Sequence, residues 1–407
     1  MANSKPQVLV CQHGARHRYA VPRILEESGM LAALYTDSSE FSCLGTIAKL
    51  LGELAPKRIR RLANRRIVSI PRKKIFSSDV LVYSNLCRLG KHSEYDQWCR
   101  ILSSKMKAFL EESSSFDVVY NMFCENLEFL QHIRNYYSAK IISDIYVHPY
   151  AGRLVEQERL ALNMDFLPHK GIQSIDIKHV IKACELSDAL LCPSQFVADG
   201  VVQLNKMFAE KVVICPYGTS IQYDEKVSTP RRGRVFWAGG DWIRKGLHVL
   251  ASAANELLKI YPEMEFRIAG IDNEDVANMP IFKSLNFLGK LDKEQMQKEY
   301  LLADCFVLPS IAEGMAGVAI EASAAGCPVI VTRCVGIDGI LDGDNGFIIE
   351  VGDARRLAEC IERLFMNRDL RKKLSLGAKE LASKYTEEAW SKRLSQVLFD
   401  LKGMHNG

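Results

Sequence analysis

The sequence alternates short, β-branched apolar runs with segments of helical period, and this alternation constrains the fold more than any other feature. It is typical of parallel βα units. The predicted strands of the first half are 8–11, 81–85, 117–122, 140–146, 189–193 and 211–216. The pattern restarts with predicted strands at 234–239, 265–270, 286–289, 305–310, 328–332 and 347–351. We therefore predict an α/β protein with two doubly wound Rossmann-like domains facing across a cleft.

The chain divides between the two runs of strands. Its 407 residues exceed the roughly 250 to 300 at which one core stops growing. Residues 217–233 are polar, lack periodicity and form the predicted linker between an N-terminal domain (1–216) and a C-terminal domain (234–385). Residues 386–407 predict a helix with Thr386 as N-cap and one apolar face, formed by Trp390, Leu394, Val397, Leu398 and Leu401. We expect this helix to cross back and pack on the first domain.

Composition excludes several classes of protein. Apolar residues make up 48% and charged residues 25%, as in ordinary globular proteins, and the net charge of +4 is too small to imply a partner. The twelve cysteines lie mostly in apolar runs and form no CxxC pair, which favours reduced thiols over a metal site. With no signal-peptide pattern and no apolar run of about 18 residues, we expect a cytoplasmic protein.

The stretch EGMAGVAIE sets Glu313 and Glu321 eight positions apart, after a predicted strand and across the start of a predicted helix. Ligands of open parallel sheets bind at the carboxyl ends of strands. The N–H groups of the first helical turn, near Ala316, Gly317 and Val318, attract an anion, and a diphosphate suits such a site. Glu321 is then placed to accept hydrogen bonds from vicinal hydroxyls. Spacing alone leaves open a surface loop with two solvated carboxylates.

A basic pair occupies a second loop between strand and helix. In FWAGGDWIRKGLHVL the strand ends at Gly239-Gly240, and Arg244 and Lys245 precede an amphipathic helix. Arginine binds a phosphate through a bidentate fork and lysine binds it as a point charge. Taken alone, such a pair is usually solvated, but its presence in the same domain as the two glutamates favours a phosphate site.

With these residues in view, the second half resembles the retaining glycosyltransferases of family 4, the "group 1" transferases of GT-B fold. The residues that carry the resemblance are KGLHVL, FRIAG, the stretch from NFLGKLDKEQ to CPVIVT that contains EGMAGVAIE, and GDNGFIIE. In the first half, LSDALLCPSQFVADGVVQL and KVVICPYGTS are also similar to the family.

The resemblance implies roles for individual residues. It implies that Glu313 contacts the donor sugar, Glu321 the nucleotide ribose and Lys245 the donor diphosphate. It also makes the N-terminal domain the acceptor side, with Gly14 and His148 as its site residues. The remaining predicted substrate-binding residues are Gly239, Gly240, Met315, Ala316, Gly317 and Val318. The chain departs from the family at one position. Many members have Gly-Arg where this chain has Gly239-Gly240, so we expect Arg244 to supply the missing guanidinium.

The expected function is retaining, metal-independent transfer of a sugar from a nucleotide-diphosphate donor to a saccharide or lipid-linked acceptor, in cell-surface polysaccharide or glycolipid synthesis. We expect Glu313 to stabilise developing positive charge, without covalent catalysis. The DGD at 342–344 is predicted to be a turn, since no cofactor or metal is expected. The alternatives are a nucleotide-sugar epimerase or phosphorylase of the same fold and a non-catalytic nucleotide-sugar-binding subunit. No lysine in a recognisable pyridoxal context supports the phosphorylase.

Residues 56–74 hold nine Lys or Arg and no acid, interleaved with apolar residues. Such a segment favours an anionic membrane face or a lipid diphosphate as partner. An exposed loop without a ligand is the alternative, and nucleic acid is the least favoured partner. We expect peripheral association with the inner face of the membrane.

Overall fold

A computed structural model describes residues 4–56, 59–60, 65–77, 79, 103–110, 115–122, 126–162, 177–219 and 229–403. In these ranges the chain forms two parallel sheets of seven and six strands. The predicted α/β fold with two Rossmann-like halves is confirmed.

The first sheet has the strand order β3-β2-β1-β4-β5-β6-β7. Its strands are β1 Val8–Gln12, β2 Leu31–Thr36, β3 Ile75–Ser77, β4 Val118–Asn121, β5 Lys140–Asp144, β6 Ala189–Cys192 and β7 Val212–Ile214. Every adjacent pair is parallel. The order reverses between β1 and β4, and this reversal opens a crevice at the carboxyl edge of the sheet.

The second sheet repeats the arrangement with the order β10-β9-β8-β11-β12-β13. Its strands are β8 Arg234–Ala238, β9 Glu265–Ala269, β10 Asn286–Gly289, β11 Cys305–Leu308, β12 Val329–Thr332 and β13 Gly346–Ile349. Here the reversal falls between β8 and β11, which pair at Cys305 with Val235 and at Phe306 with Phe236.

Helices connect the strands on both faces of each sheet. The described helices are α1 Ala20–Glu27, α2 Cys43–Leu51, α3 103–110, α4 Leu127–Tyr136, α5 Ala151–Ala161, α6 Ile177–Leu186, α7 Gln195–Leu204, α8 Leu247–Ile260, α9 Glu274–Ala277, α10 Lys293–Leu302, α11 Gly317–Ala324, α12 Ala354–Met366, α13 Arg368–Ser383 and α14 Glu387–Gly403. In the described part of the chain, no helix is both long and apolar enough to cross a bilayer.

The last helix, α14, leaves the second half and packs on the first, as the sequence predicts. Thr386 caps it by accepting from the N–H of Ala389 at 3.2 Å. Its buried face joins the same core cluster as β1 and β4, through Trp390, Leu394, Leu398 and Leu401. Where the chain crosses back, Thr219 donates its N–H to the carbonyl oxygen of Tyr385 at 2.8 Å. The two crossings between the halves therefore touch each other.

Sequence reasoning missed β2 and β3. The β2 run LAALYT is rich in alanine and leucine, so its periodicity does not separate a short strand from a helix. The edge strand β3 has only three residues. The strand predicted at 81–85 and most of the predicted linker, 220–228, lie outside the described residues, and the domain boundaries themselves stay a prediction.

Candidate active site

The predicted site residues of the second half gather at the reversal of strand order. Gly239 and Gly240 follow β8, and the loop from Pro309 to Ala316 follows β11, so the two loops lie side by side at the carboxyl edge. This is the position at which open α/β sheets bind ligands. The neighbouring helix α8 begins directly after Lys245-Gly246.

Glu313 is held by both predicted cations. Its Oε1 lies 2.8 Å from Lys245 Nζ, and its Oε2 lies 2.5 Å from an Nη of Arg244. The side chain of Glu313 is nearly buried, and its backbone N–H donates to the carbonyl oxygen of Cys334 at 3.0 Å. The carboxylate is therefore fixed in place by charge-assisted hydrogen bonds.

The charge of Glu313 follows from these neighbours. Burial alone raises its pKa, but the positive charges and hydrogen bonds of Lys245 and Arg244 outweigh burial and hold the pKa below its ordinary value. Glu313 is thus ionised at neutral pH. A fixed carboxylate at this place can stabilise positive charge that develops on a bound sugar.

Lys245 reaches Glu313 because Gly239 has no side chain. A Cβ at Gly239 would lie 2.1 Å from Lys245 Cδ, so the lysine stem runs directly over this residue. At Gly240, in contrast, a Cβ would meet no heavy atom within 4 Å of the described structure. The indole of Trp237 fixes the backbone of the lysine by donating to its carbonyl oxygen at 3.1 Å.

The guanidinium of Arg244 binds groups of the protein itself. Besides Glu313 it contacts Asp241 Oδ2 at 3.3 Å and donates to the carbonyl oxygen of Ala312 at 3.1 Å. These contacts position Glu313 and the loop that carries it. In this arrangement Lys245 has fewer protein contacts than Arg244, because its one described side-chain partner is Glu313.

Helix α11 begins at Gly317, beside Glu313. The N–H of Ala316 donates to the carbonyl oxygen of Val335 at 2.8 Å, so this amide is already bonded within the protein. The next two amides, of Gly317 and Val318, belong to the first turn, which has no carbonyl partner inside its own helix. Met315 packs against the apolar core clusters of both halves. An anion at this turn would therefore use Gly317 and Val318.

Glu321 lies one turn further into α11. Its Oε2 accepts a hydrogen bond from the hydroxyl of Tyr300 at 3.1 Å. Burial raises the pKa of Glu321, while the Tyr300 hydrogen bond and the charges of Arg18 and Lys293 act against that rise. The two glutamates thus differ in the direction of their pKa shifts, and Glu321 is the easier one to protonate.

His148 and Gly14 belong to the first half. The Nδ1 atom of His148 accepts from the N–H of Tyr150 at 3.2 Å, and its ring stacks on Phe196 at 4.4 Å. Burial lowers its pKa, against the opposing charge of Asp199. Gly14 follows β1 with φ of +68°, and its N–H donates to Asp37 at 2.8 Å. The backbone at Gly14 therefore has the left-handed form that favours glycine.

The two halves meet at the loop of Glu313. A Cβ at Gly314 would lie 1.8 Å from the carbonyl oxygen of Tyr146, and Ser194 Oγ donates to the carbonyl oxygen of Gly314 at 2.7 Å. The neighbouring residues Val147 and Ala312 share one apolar cluster. His148 therefore stands on a loop that packs against the Glu313 loop.

Further contacts across the cleft were not foreseen from the sequence. Asp338 accepts from the N–H of Gln195 at 2.9 Å, and His248 Nε2 lies 2.8 Å from Glu158 Oε1. Arg18, on the loop after β1, influences the pKa of Glu321 and so faces the second half. The sequence feature that could have predicted a site role for Arg18 was its position after the first strand, four residues beyond Gly14.

Known structures define the fold as GT-B. A sucrose-phosphate synthase from Thermosynechococcus elongatus is 14% identical, with a TM-score of 0.71, and the alignment covers 98% of this chain and 100% of that one. HepE of Anabaena, determined with UDP-glucose, is 14% identical with a TM-score of 0.64 and covers 97% of this chain and 99% of its own. At these identities the likeness shows the fold alone.

The resemblance to a known family is found in the second half. Residues 232–367 match the family described as "Glycosyl transferases group 1", so the resemblance predicted from the sequence is confirmed. A D-inositol 3-phosphate glycosyltransferase of Corynebacterium urealyticum is 29% identical over 39% of this chain and 41% of its own length. The lipopolysaccharide core biosynthesis glycosyltransferase LpsE of Rhizobium meliloti is 29% identical over 52% of this chain and 64% of its own. The chain thus spans less than two thirds of these relatives.

Proposed function

We propose that this protein is a retaining glycosyltransferase that moves a sugar from a nucleotide-diphosphate donor to a saccharide or lipid-linked acceptor. The observation that carries the proposal is the carboxylate of Glu313, bound by Lys245 and Arg244 at the start of α11. This arrangement supports a site in which a fixed negative charge lies beside a bound diphosphate. It matches what loss of a sugar from a phosphate requires.

In the proposed reaction the bond from the sugar C1 to the donor phosphate breaks, and its electron pair leaves with the diphosphate. Lys245 and the first-turn amides of Gly317 and Val318 neutralise that charge. Glu313 stabilises the positive charge that develops on the sugar ring. The acceptor oxygen forms the new bond to C1 on the same face and gives its proton to the departing phosphate oxygen.

The remaining site residues position Glu313 and the substrates. Arg244 orients Glu313 through its three protein contacts. We propose that its guanidinium also binds the diphosphate, in place of an arginine at Gly240. Glu321 accepts from the ribose hydroxyls beside Tyr300. His148 and Gly14 face the acceptor and the sugar from the first half. Since Lys245 and Arg244 supply positive charge, we propose that transfer needs no divalent ion.

The proposed pathway is cell-surface polysaccharide or glycolipid synthesis, with peripheral attachment to the inner face of the membrane. LpsE is named for lipopolysaccharide core synthesis, and another relative, of Mycobacterium leprae, is named a phosphatidyl-myo-inositol mannosyltransferase. Both names describe acceptors built on a lipid. They support a search for a lipid-linked acceptor of this chain.

A panel of nucleotide sugars tests the proposal. Release of the nucleotide is measured with and without an extract that contains acceptors, for the wild type and for Lys245→Ala. We expect one donor to give release that depends on the extract and falls in the variant. Turnover without extract, with the sugar still joined to the nucleotide, would indicate an epimerase. Binding without any turnover would indicate a non-catalytic subunit.

A further inference from the structure

Helix α2 turns its apolar residues toward solvent. Along Cys43–Leu51 and the 3-10 turn Gly52–Leu54, four large apolar side chains recur at spacings of three and four. Their exposed fractions are 39% for Ile47, 83% for Leu50, 45% for Leu51 and 88% for Leu54. Such a stripe normally faces a protein core. Here the core receives the adjoining part of the helix surface, which includes Leu44 and Ala48.

The basic segment, residues 56–74, contacts α2 and the residues just before it. Glu40 joins the two, because it accepts from Lys49 Nζ of α2 at 2.7 Å and from the N–H of Ile67 at 2.8 Å. The ring of Phe41 has Lys49 and Arg72 above it, at 5.7 Å and 5.2 Å from its centroid. The segment therefore packs against α2, the helix that carries the stripe.

Contacts within the segment separate its anchoring residues from its exposed ones. Ile67 and Ile70 are buried in the core of the first half, so these two apolar residues are not available to a membrane. Arg65 and Lys74 form ion pairs with Asp37 and Glu26. The exposed members include Val68, Arg66, Arg72 and Lys73, while 57–58 and 61–64 lie outside the described residues.

We propose that the stripe Ile47, Leu50, Leu51 and Leu54 inserts into the surface of an anionic bilayer while the neighbouring cations bind its headgroups. The surface has the two properties that interfacial binding requires, exposed apolar area and flanking positive charge. A second copy of this chain would bring like charges together, whereas an anionic bilayer matches both the apolar area and the positive charge. The inference rests on the proposed function only in explaining why a bilayer is useful: it brings a lipid-linked acceptor to the site.

The test measures binding of the full chain to vesicles of phosphatidylcholine containing phosphatidylglycerol, and to vesicles of phosphatidylcholine alone. The variant Leu50→Glu/Leu54→Glu removes the two most exposed leucines. The matched control is Met207→Glu/Leu376→Glu, which changes two residues exposed at 77% and 72% elsewhere. We expect the first variant to lose at least ~10-fold in vesicle affinity, because burying one leucine already contributes about that much. The control should bind like the wild type.

The charge contribution is tested by Arg66→Ala/Lys73→Ala. This variant should lose most of the preference for phosphatidylglycerol and the weakening of binding by salt. The proposal would be overturned if the wild type bound neither kind of vesicle, or if the control lost as much affinity as the leucine variant. The proposal would also be overturned if the wild type self-associated without lipid and the leucine variant did not. Vesicle binding is scored without any nucleotide sugar, so failure of the proposed enzyme activity leaves this test intact.

Discussion

At the scale of single residues, the proposed donor site depends most on Lys245. We expect Lys245→Ala to weaken donor binding by about 1.5 to 3 kcal/mol, roughly 10- to 150-fold, because a charge-assisted contact to the diphosphate is lost. Calorimetric titration with the donor found in the panel measures this. Arg244→Ala is the companion variant: it should depress turnover through a misplaced Glu313 more than it weakens binding. An unchanged donor affinity in Lys245→Ala would remove the lysine from the site.

The two glutamates are expected to separate kinetically. Glu313→Gln should lower kcat with little change in donor dissociation constant, because its charge acts on the sugar as it leaves. Glu321→Gln should chiefly raise the dissociation constant, because it loses a charged acceptor for ribose hydroxyls. Steady-state kinetics and donor-binding measurements on both variants test this separation. The opposite ranking would mean that the two roles are exchanged.

The pH dependence of donor binding should also distinguish Glu321 from Glu313. The pKa of Glu321 is raised by burial, whereas that of Glu313 is held down by Lys245 and Arg244. As the pH falls, Glu321 therefore takes up a proton first, and donor affinity should decrease on the acid side. The Glu321→Gln variant should lack that decrease. An acid limb that persists in this variant would assign the titration to another group.

At the scale of elements, the short connection between β8 and α8 places Lys245, and its two glycines offer a matched pair. Gly239→Ala puts a methyl group where the lysine stem now lies, at 2.1 Å from Cδ, whereas Gly240→Ala meets open space. We expect Gly239→Ala to fold and to lose donor affinity by displacing Lys245. The Gly240→Ala control should bind nearly as the wild type does. Equal affinities in the two variants would contradict the described course of the lysine.

The sequence predicted much at this scale because each element carries its own local pattern. Twelve amphipathic or apolar stretches were predicted as strands, and α11, α12 and α14 begin within a few residues of the predicted places. What it could not provide are contacts between distant positions. The pair Arg244–Glu313 and the bond from Ser194 to Gly314 join residues 69 and 120 positions apart. Only the strand order brings such residues together, and that order is set by packing of the whole domain.

At the scale of the whole molecule, α14 joins the two halves. Leu394 and Leu398 are fully buried in the core of the first half, although the helix follows the second half in sequence. Leu398→Ala should destabilise that core by about 2 to 5 kcal/mol, since it leaves a cavity. Hydrogen exchange of the full chain measures the effect locally: exchange should rise in β1 and β4 and stay unchanged in β8 and β11. Faster exchange confined to the second sheet would contradict the packing.

The central claim is that the site beside Glu313 transfers a sugar with retention of configuration. The most direct measurement follows a donor labelled with carbon-13 at C1 by NMR, in the presence of EDTA, acceptor and protein. We expect the C1 signal to lose its coupling to phosphorus and to reappear in a glycosidic bond of the same anomeric configuration. A C1 that remains coupled to phosphorus, a product of inverted configuration, or activity that returns only when a divalent ion is added would contradict it.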